Sequence, residues 1–376
     1  MKLKFCFAIV FLFYSCAHVV APTGGEKDNE PPKIINDDIS KKNKQYNLEF
    51  TFNEFVVFND WNKYFYVSPP LLNHSSKKIS KKTLSITIQD TLKEKINYFV
   101  CLNKCIKDIN EGNVLDTLNY LISQTGGINK DTLQGVLYHS YNKNEIENAW
   151  VMLFDIERHD SLIFKSVPNY IAKTNNEGRF LFPNITSDNY KIVAITDLDF
   201  FYDEKDIIAF HPYPISTKRD SFISLFAFDP IIKIDSASII DSILLYNDAL
   251  NDDSLFIIEK TSDTVLQEEL VHDDSLFTKE DYGNLSIITK NDGPCVFILL
   301  ERDKITKEFS FSEPPYLLNQ IPAGEYNLKY IDDTDSDGQW TTGSWEEKRP
   351  PEIAVNYPTK ITIRSNWDLE LIWEID

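Results

Sequence analysis

The sequence contains few of the features on which enzymes and nucleic-acid-binding proteins depend. It has six histidines in 376 residues, with no HExxH pair, no GxSxG nucleophile elbow and no glycine-rich phosphate loop. Lys and Arg number 38 against 58 Asp and Glu, which gives a net charge of -20. Such a surface repels nucleic acid, so we expect no nucleic-acid partner. The missing motifs also predict a protein without catalytic activity.

Cysteine is equally scarce. Cys101 and Cys105 flank the end of a predicted strand, Asn97–Leu102. Two extended residues four positions apart lie about 13 Å from each other, which is too far for a disulfide. The two thiols can pair only if the chain turns after Leu102, and the alternative is a pair of buried thiols. Their CxxxC spacing fits no zinc-binding pattern.

Long apolar runs are absent after the N-terminus, where no stretch is long enough to cross a bilayer. The one apolar run near the start is Phe5–Tyr14, which follows Lys2 and Lys4 and ends at Ser15 and Cys16. A short positive start, an apolar run and a small residue before the end of the run are typical of a signal peptide.

This segment resembles the signal peptides of bacterial lipoproteins, in which the cysteine after the apolar run becomes the acylated N-terminus. The resemblance implies a signal peptide at residues 1–16, acyl chains on Cys16 and attachment to the bacterial outer membrane through the lipid. The alternative is an ordinary secretory signal that is cut nearby. Residues 17–32 are rich in Pro and Gly and predict a flexible tether.

Residues 33–125 show the pattern of short strands. Leu48, Phe50 and Phe52 alternate with Glu49 and Thr51, which is the period of a half-buried strand. Short strands at near-regular spacing predict a β-sandwich. Four motifs in this region resemble the bacterial Ig-like domain of the S-layer type, which stands at the start of many outer-membrane lipoproteins. These motifs are Glu30–Lys33, Phe50–Glu54, Val67–Pro70 and Ile109–Asn113.

Residues 131–215 form a second predicted domain. Leu133–Leu137 and Ala149–Phe154 are predicted strands, and Gly178 fits the turn of a hairpin whose Phe180 and Phe182 share one face. The order of these segments resembles the carboxypeptidase-regulatory-like, transthyretin-like sandwich. The resemblance implies an accessory module with no peptidase machinery.

The sequence also contains an internal repeat. Four residues recur 136 positions further on, which predicts that residues 283–376 are a second copy of the same sandwich. The predicted fold class is therefore all-β, with tandem Ig-like and transthyretin-like β-sandwiches. Residues 216–282 are either a linker or a reduced β domain. The repeated residues are Ile185, Tyr190, Asp197 and Asp199, which correspond to Ile321, Tyr326, Asp333 and Asp335.

An acidic loop in the last domain is the sharpest candidate site. Asp333, Asp335 and Asp337 stand at alternate positions and are followed by Gly338, as in the first half of a calcium-binding loop. The twelfth loop position is Ser344 rather than Glu, so Glu346 or Glu347 would have to complete the coordination shell. Calcium is the one cofactor that the sequence indicates. The alternative is a solvated acidic hairpin loop without an ion.

In the corresponding loop of the first copy the acidic residues fit the calcium-binding spacing less well, because Phe201 stands where the third ligand should be. We therefore predict that this loop holds no ion. Two tryptophans beside the acidic loop, Trp340 and Trp345, are candidate contacts for a sugar or a protein, because aromatic side chains at loop tips are favoured contact surfaces. The acidic residues of the corresponding loop in the first copy are Asp197, Asp199, Asp203, Glu204 and Asp206.

Together these features predict a non-enzymatic, lipid-anchored cell-envelope protein that presents β-sandwiches for binding, adhesion or structural spacing. Its partner would be an envelope protein or a glycan. The alternative is a surface carbohydrate-active protein with accessory sandwich modules. That alternative predicts a cleft lined by carboxylates and aromatic side chains.

Overall fold

The computed structural model describes residues 27–42, 45–73, 75–123, 131–197, 202, 206–229, 281–302 and 304–375. Their regular structure is almost entirely strand, so the predicted all-β class of tandem sandwiches is confirmed. Cys16, Asp199, Asp203, Glu204 and residues 230–280 lie outside the described residues. The chain divides into two compact units: the first from residues up to Phe65, His74–Gln89 and Leu102–Asn119, the second from Tyr66–Asn73, Asp90–Cys101 and Tyr120–Asp376.

The first unit contains a four-stranded antiparallel sheet with the order β1-β2-β6-β5. The alternating residues Leu48, Phe50 and Phe52 are buried, and Leu48 lies opposite the equally buried Ile86. A two-stranded sheet pairs β3 with β8. These strands are β1 (Ile34–Lys42), β2 (Gln45–Phe52), β3 (Val56–Phe58), β5 (Ser76–Ser80), β6 (Thr83–Ile88) and β8 (Ile106–Asp108). The unit also contains a one-turn helix, Trp61–Tyr64.

The end of the expected tether lies against the first unit. Pro32 is buried, and the Asn113 side chain donates hydrogen bonds to the carbonyl oxygens of Asp28 and Glu30, both at 3.1 Å. These contacts hold residues 28–32 against the first unit, whereas residues 17–26 of the predicted tether lie outside the described residues.

The second unit begins with a three-stranded sheet of β4 (Tyr66–Ser68), β7 (Asn97–Cys101) and β9 (Asn119–Ser123), in the order β4-β7-β9. The expected Ig-like domain at residues 33–125 is therefore divided between the two units.

Cys101, Cys105 and Cys295 are buried thiols, and none belongs to a disulfide. The buried-thiol alternative for Cys101 and Cys105 is thus confirmed.

Next comes a sandwich of two sheets, which we call the N-terminal copy. A three-stranded sheet has the order β13-β10-β17, and a larger sheet has the order β12-β11-β14-β15, with β16 also pairing with β14. Gly178 adopts a φ of +66° in the turn before β13, a conformation that favours glycine. The predicted hairpin is wrong, because the strands on either side of this turn, β12 and β13, lie in different sheets and do not pair with each other. The strands are β10 (Asp131–His139), β11 (Trp150–Asp155), β12 (Tyr170–Lys173), β13 (Arg179–Ile185), β14 (Asn189–Ile195), β15 (Ile208–Phe210), β16 (Ile215–Ser216) and β17 (Phe222–Ala227).

The last sandwich, the C-terminal copy, repeats this topology strand for strand. Its sheets have the orders β21-β18-β25 and β20-β19-β22-β23, with β24 also pairing with β22. The first strand of each copy pairs in parallel with the last strand of the same copy. The strands are β18 (Tyr282–Ile288), β19 (Cys295–Glu301), β20 (Lys304–Phe311), β21 (Tyr316–Pro322), β22 (Gly324–Asp332), β23 (Ala354–Asn356), β24 (Ile361–Ile363) and β25 (Asp368–Ile372).

The repeated residues occupy matching positions in the two copies. Ile185 and Ile321 are both buried at the end of a strand that contains a register shift. The Tyr190 hydroxyl donates to the carbonyl of Thr186 at 3.0 Å, and the Tyr326 hydroxyl donates to the carbonyl of Pro322 at 2.9 Å. Each tyrosine thus ties the start of a central strand to the preceding corner, as in the tyrosine corner of other sandwiches.

The N-terminal copy extends into the segment for which the sequence left a linker and a reduced domain as alternatives. β17 lies within residues 216–282, yet it pairs with β10 and buries Ile223 and Leu225 in the core of this copy. The structure therefore places residues 222–227 in the sandwich.

The two buried tyrosine hydroxyls generate a stability prediction. We expect Tyr326→Phe to lower the free energy of unfolding by about 1 kcal/mol, because the half-buried Pro322 loses the donor to its carbonyl. Urea unfolding followed by tryptophan fluorescence measures the change. The control is Tyr213→Phe, whose side chain is 73% exposed and which should leave the transition in place. Equal midpoints for wild type and Tyr326→Phe would contradict the assigned role.

Candidate functional site

The acidic loop connects β22 to β23, and hydrogen bonds from its own backbone N–H groups to the Asp333 carboxylate hold its shape. Asp333 is 3% exposed and its carboxylate accepts hydrogen bonds from the backbone N–H groups of Asp337 at 3.1 Å and Gly338 at 3.0 Å. Gly338 has a φ of +78°, a conformation that favours glycine. The loop is thus a tight turn wrapped around one buried carboxylate.

The structure brings together a different trio of carboxylates from the one that the sequence indicates. Oxygen atoms of Asp333, Asp335 and Glu352 lie within 4.8 Å of one another. Asp337 is exposed, and its carboxylate accepts hydrogen bonds from the Gln339 N–H at 2.7 Å and the Thr341 hydroxyl at 3.2 Å. Three carboxylates are the kind of hard oxygen ligands that Ca²⁺ prefers.

Glu352 is the member of this trio that sequence reasoning missed. It lies just before β23 and has no spacing relation to the Asp-rich motif. The residue is 3% exposed, and its carboxylate accepts the N–H groups of Thr334 at 2.7 Å and Thr341 at 2.9 Å. Burial raises the pKa of Glu352, and these hydrogen bonds oppose the rise. The other two glutamates considered, Glu346 and Glu347, are exposed.

Both candidate tryptophans are half-buried and take part in contacts within the second unit. The Trp340 indole N–H donates to the carbonyl of Glu352 at 2.9 Å, and its ring meets Tyr141 edge-to-face at 5.0 Å. Trp345 meets Phe210 edge-to-face at 5.2 Å. Tyr141 and Phe210 belong to the N-terminal copy, so these tryptophans pack between the copies.

The contact between the copies is reciprocal, and we call it the junction. Its two covering loops are residues 333–353 of the C-terminal copy and residues 140–149 of the N-terminal copy, and it includes the residues of the opposite copy that they contact, namely Phe210, Phe228, Asp160 and Lys329. Trp345 covers the outer face of the larger sheet of the N-terminal copy, whereas Tyr141 covers the outer face of the larger sheet of the C-terminal copy. Each copy therefore buries an apolar sheet face beneath a loop of the other.

Polar and close contacts fix the position of the two loops in the junction. The Ala354 N–H donates to the carbonyl of Ser140 at 2.9 Å, which joins β23 to the 140–149 connection. A side-chain carbon added at Gly343 would lie 2.4 Å from the ring of Phe228, so this approach requires glycine. The Lys348 ammonium lies 3.4 Å from the Asp160 carboxylate across the junction.

A lysine lies buried at the centre of the junction. Lys329 is 4% exposed, donates a hydrogen bond to the carbonyl of Tyr141 and lies 4.1 Å above the ring of the same residue. Burial lowers the pKa of Lys329 to about 8. The corresponding position in the N-terminal copy, 136 residues earlier, is Val193.

The corresponding acidic loop of the N-terminal copy lies mostly outside the described residues. Of its acidic residues, Asp206 is buried and Asp197 is half-buried, whereas Asp199, Asp203 and Glu204 are not described. The expectation that this loop holds no ion stays a prediction. In the described part of the chain, no helix is long and apolar enough to cross a membrane.

Known proteins resemble this chain only weakly, in sequence and in structure. No protein-family model matches the chain, and no curated protein matches it significantly. The Bacillus anthracis TIE protein matches at 10% identity and a TM-score of 0.18, over 94% of this chain and 59% of its own. The major pilin subunit of Bacillus cereus matches at 12% identity and a TM-score of 0.19, over 53% of this chain and 70% of its own.

The minor pilin of Streptococcus agalactiae matches at 12% identity and a TM-score of 0.17, over 64% of this chain and 94% of its own. TM-scores this low assign neither a fold nor a function. The sandwich fold of this chain rests on its own strand pairing.

The buried lysine predicts a pH dependence. Because burial lowers the pKa of Lys329 to about 8 from its usual 10.5, the unfolded chain binds more protons between these values. Stability should therefore rise with pH from about pH 8 upward, with a slope of at most ~1.4 kcal/mol per pH unit. We expect Lys329→Met to remove the rise, as measured by urea midpoints between about pH 7.5 and 9.5.

Lys304→Met is the control for this measurement, since Lys304 is exposed and its loss should leave the rise intact. Midpoints of wild type and Lys329→Met that change by the same amount over this pH range would contradict the lowered pKa of the buried lysine.

Proposed function

We propose that this chain is a non-enzymatic, lipid-anchored protein of the bacterial outer membrane that presents its sandwiches for binding or as a structural spacer. The observation that supports this proposal is the junction between the two copies. A loop of each copy covers a sheet face of the other, so the two copies form one body. A spacer or a presenting stalk needs such stiffness. Its partner is an envelope protein or a glycan, and the net charge of -20 disfavours nucleic acid.

The use of the buried carboxylates supports the absence of catalysis. Asp108 accepts three backbone N–H groups, from Glu111 at 2.6 Å, Gly112 at 2.8 Å and Asn113 at 2.7 Å. Asp333 and Glu352 likewise accept backbone N–H groups within their own loop. A general acid or base must exchange a proton with a substrate, whereas these carboxylates hold turns together.

The lipid anchor rests on the sequence that ends at Cys16. Several acyl chains hold a protein at a membrane stably, because each buried methylene contributes about 0.8 kcal/mol. On this proposal the acyl chains supply the membrane attachment.

Acylation of Cys16 is testable in the producing bacterium. Growth with an alkyne-tagged fatty acid should label the wild-type protein and place it in the outer-membrane fraction. Cys16→Ala should lose both the label and the membrane association, because no thiol remains for the lipid. Cys6→Ala is the matched control and should keep both. Label that survives Cys16→Ala would refute the anchor.

We further propose that the acidic loop of the C-terminal copy binds calcium through Asp333, Asp335 and Glu352. Two of these carboxylates are buried at 3% exposure, and together they concentrate negative charge that a divalent cation would neutralise. The ion would be structural, since it would tie the start of the β22–β23 connection to its end. Millimolar affinity is typical of extracellular modules.

Calcium binding predicts different effects of two neighbouring substitutions. Adding calcium to the chelator-treated full chain should raise its thermal unfolding midpoint, with half-saturation on the order of 10⁻⁴ to 10⁻³ M. Asp335→Asn should abolish this shift, because it removes a ligand from the trio. Asp337→Asn should retain the shift, because Asp337 lies outside the trio. An unchanged wild-type midpoint would exclude the site.

A further inference from the structure

A cavity of about 370 Å³ opens in the second unit beside the N-terminal copy. Its walls come from residues 69–72 and 90–98, from the connection between β11 and β12, and from the turn between β13 and β14. Its volume lies within the range of roughly 300–1,000 Å³ found for ligand pockets. No residue of the acidic loop or of the junction lines it.

Three buried tyrosines line the cavity. Tyr170 and Tyr190 lie edge-to-face at 5.9 Å. The Tyr170 hydroxyl shares a hydrogen bond with the Thr186 hydroxyl, and the Tyr190 hydroxyl donates to the Thr186 carbonyl. Tyr98 is 5% exposed, and its hydroxyl accepts a hydrogen bond from the Lys93 N–H at 3.1 Å. That bond does not use the hydroxyl proton, which is available for donation to a ligand. Burial raises the pKa of Tyr98, so the hydroxyl stays protonated at neutral pH.

A cationic side chain lines the same cavity. Arg158 is half-buried, and its guanidinium makes one long hydrogen bond, to the carbonyl of Val167 at 3.5 Å. Within the described residues it forms no ion pair, although the chain carries 58 acidic residues. A guanidinium has five N–H donors, so most of them remain for a ligand.

Carboxylates supply acceptors in the same wall, and each already holds a protein group. Asp90 accepts the Asn73 N–H at 3.0 Å, and Asp188 accepts the Asn189 N–H at 2.8 Å. Asp155 accepts the Glu157 N–H at 3.0 Å. An ionised carboxylate has about four acceptor positions, so each retains capacity for a ligand hydroxyl.

We propose that this cavity binds a glycan. Sugar hydroxyls both donate and accept, which matches a wall that offers Arg158 and Tyr98 as donors and carboxylates as acceptors. The tyrosine rings and the neighbouring prolines Pro69, Pro70 and Pro168 provide apolar surface for the C–H faces of a sugar ring.

The placement of the lining residues favours a glycan over a peptide. An extended peptide most often adds to the edge of a sheet, where backbone groups pair with it. Most of the cavity wall consists of connections between strands, including residues 90–96, 167–169 and 186–188. Such connections do not present the regular strand edge to which a peptide adds, and this favours a ligand without a peptide backbone.

The inference deepens the proposed function, since a glycan is one of the two partner classes proposed for the envelope protein. It predicts that the site binds without cleaving, because the carboxylates are engaged in structural hydrogen bonds.

The test uses the purified full chain, fluorescently labelled, on an array of neutral oligosaccharides, uronic-acid oligosaccharides and acidic peptides. We expect binding to at least one oligosaccharide. Arg158→Ala should weaken it by tenfold or more, and Tyr98→Phe should weaken it about threefold through loss of one hydrogen bond. Arg179→Ala is the matched control, because Arg179 is exposed, pairs with Glu177 at 3.0 Å and does not line the cavity. Thermal unfolding verifies that each variant is folded.

Each outcome decides a separate claim. Absence of binding to every oligosaccharide, binding only to peptides, or equal binding by folded Arg158→Ala would overturn the glycan site. The lipid-labelling result would stand unaffected in all three cases. Release of reducing ends from a bound oligosaccharide would support the site and would instead refute the non-enzymatic function.

Discussion

The reciprocal burial of two sheet faces is the constraint on which the second unit depends. In each copy the larger sheet has one face in the core of its own sandwich, and its other face is also apolar. Part of that second face would meet water if the copy stood alone. Trp345 packs on one face together with Tyr66 and Tyr202, and Tyr141 packs on the other together with Trp340, so each face is completed in part by a loop of the other copy.

The aromatic pairs outweigh the ion pair at this junction. The Tyr141–Trp340 and Phe210–Trp345 pairs each add about 0.5–1.5 kcal/mol beyond the area they bury. The Lys348–Asp160 ion pair is partly exposed and contributes roughly 0–1 kcal/mol. Apolar contact therefore holds the junction more than this ion pair does, and the buried contact between Lys329 and Tyr141 is screened little by salt.

The sequence predicts the sandwiches well, because alternation and turn residues are local signals. The 136-residue offset even identified Tyr190 and Tyr326, whose hydroxyls make the same hydrogen bond in each copy. Glu352 escaped prediction because the chain returns to the acidic loop only after a long connection. The tryptophans beside that loop looked like ligand contacts in the sequence, since nothing local reveals that Phe210 and Tyr141 lie against them. β17 escaped for the same reason, because its parallel partner β10 is distant in the chain.

The pairing of first and last strands has a consequence for biogenesis. β10 pairs with β17, and β18 pairs with β25. Neither smaller sheet can therefore be completed until the whole copy has been synthesised. A polypeptide that ends early within a copy would leave its opening strand as an uncovered edge, which invites association with other chains. A premature stop within either copy would thus produce a polypeptide that is prone to aggregate.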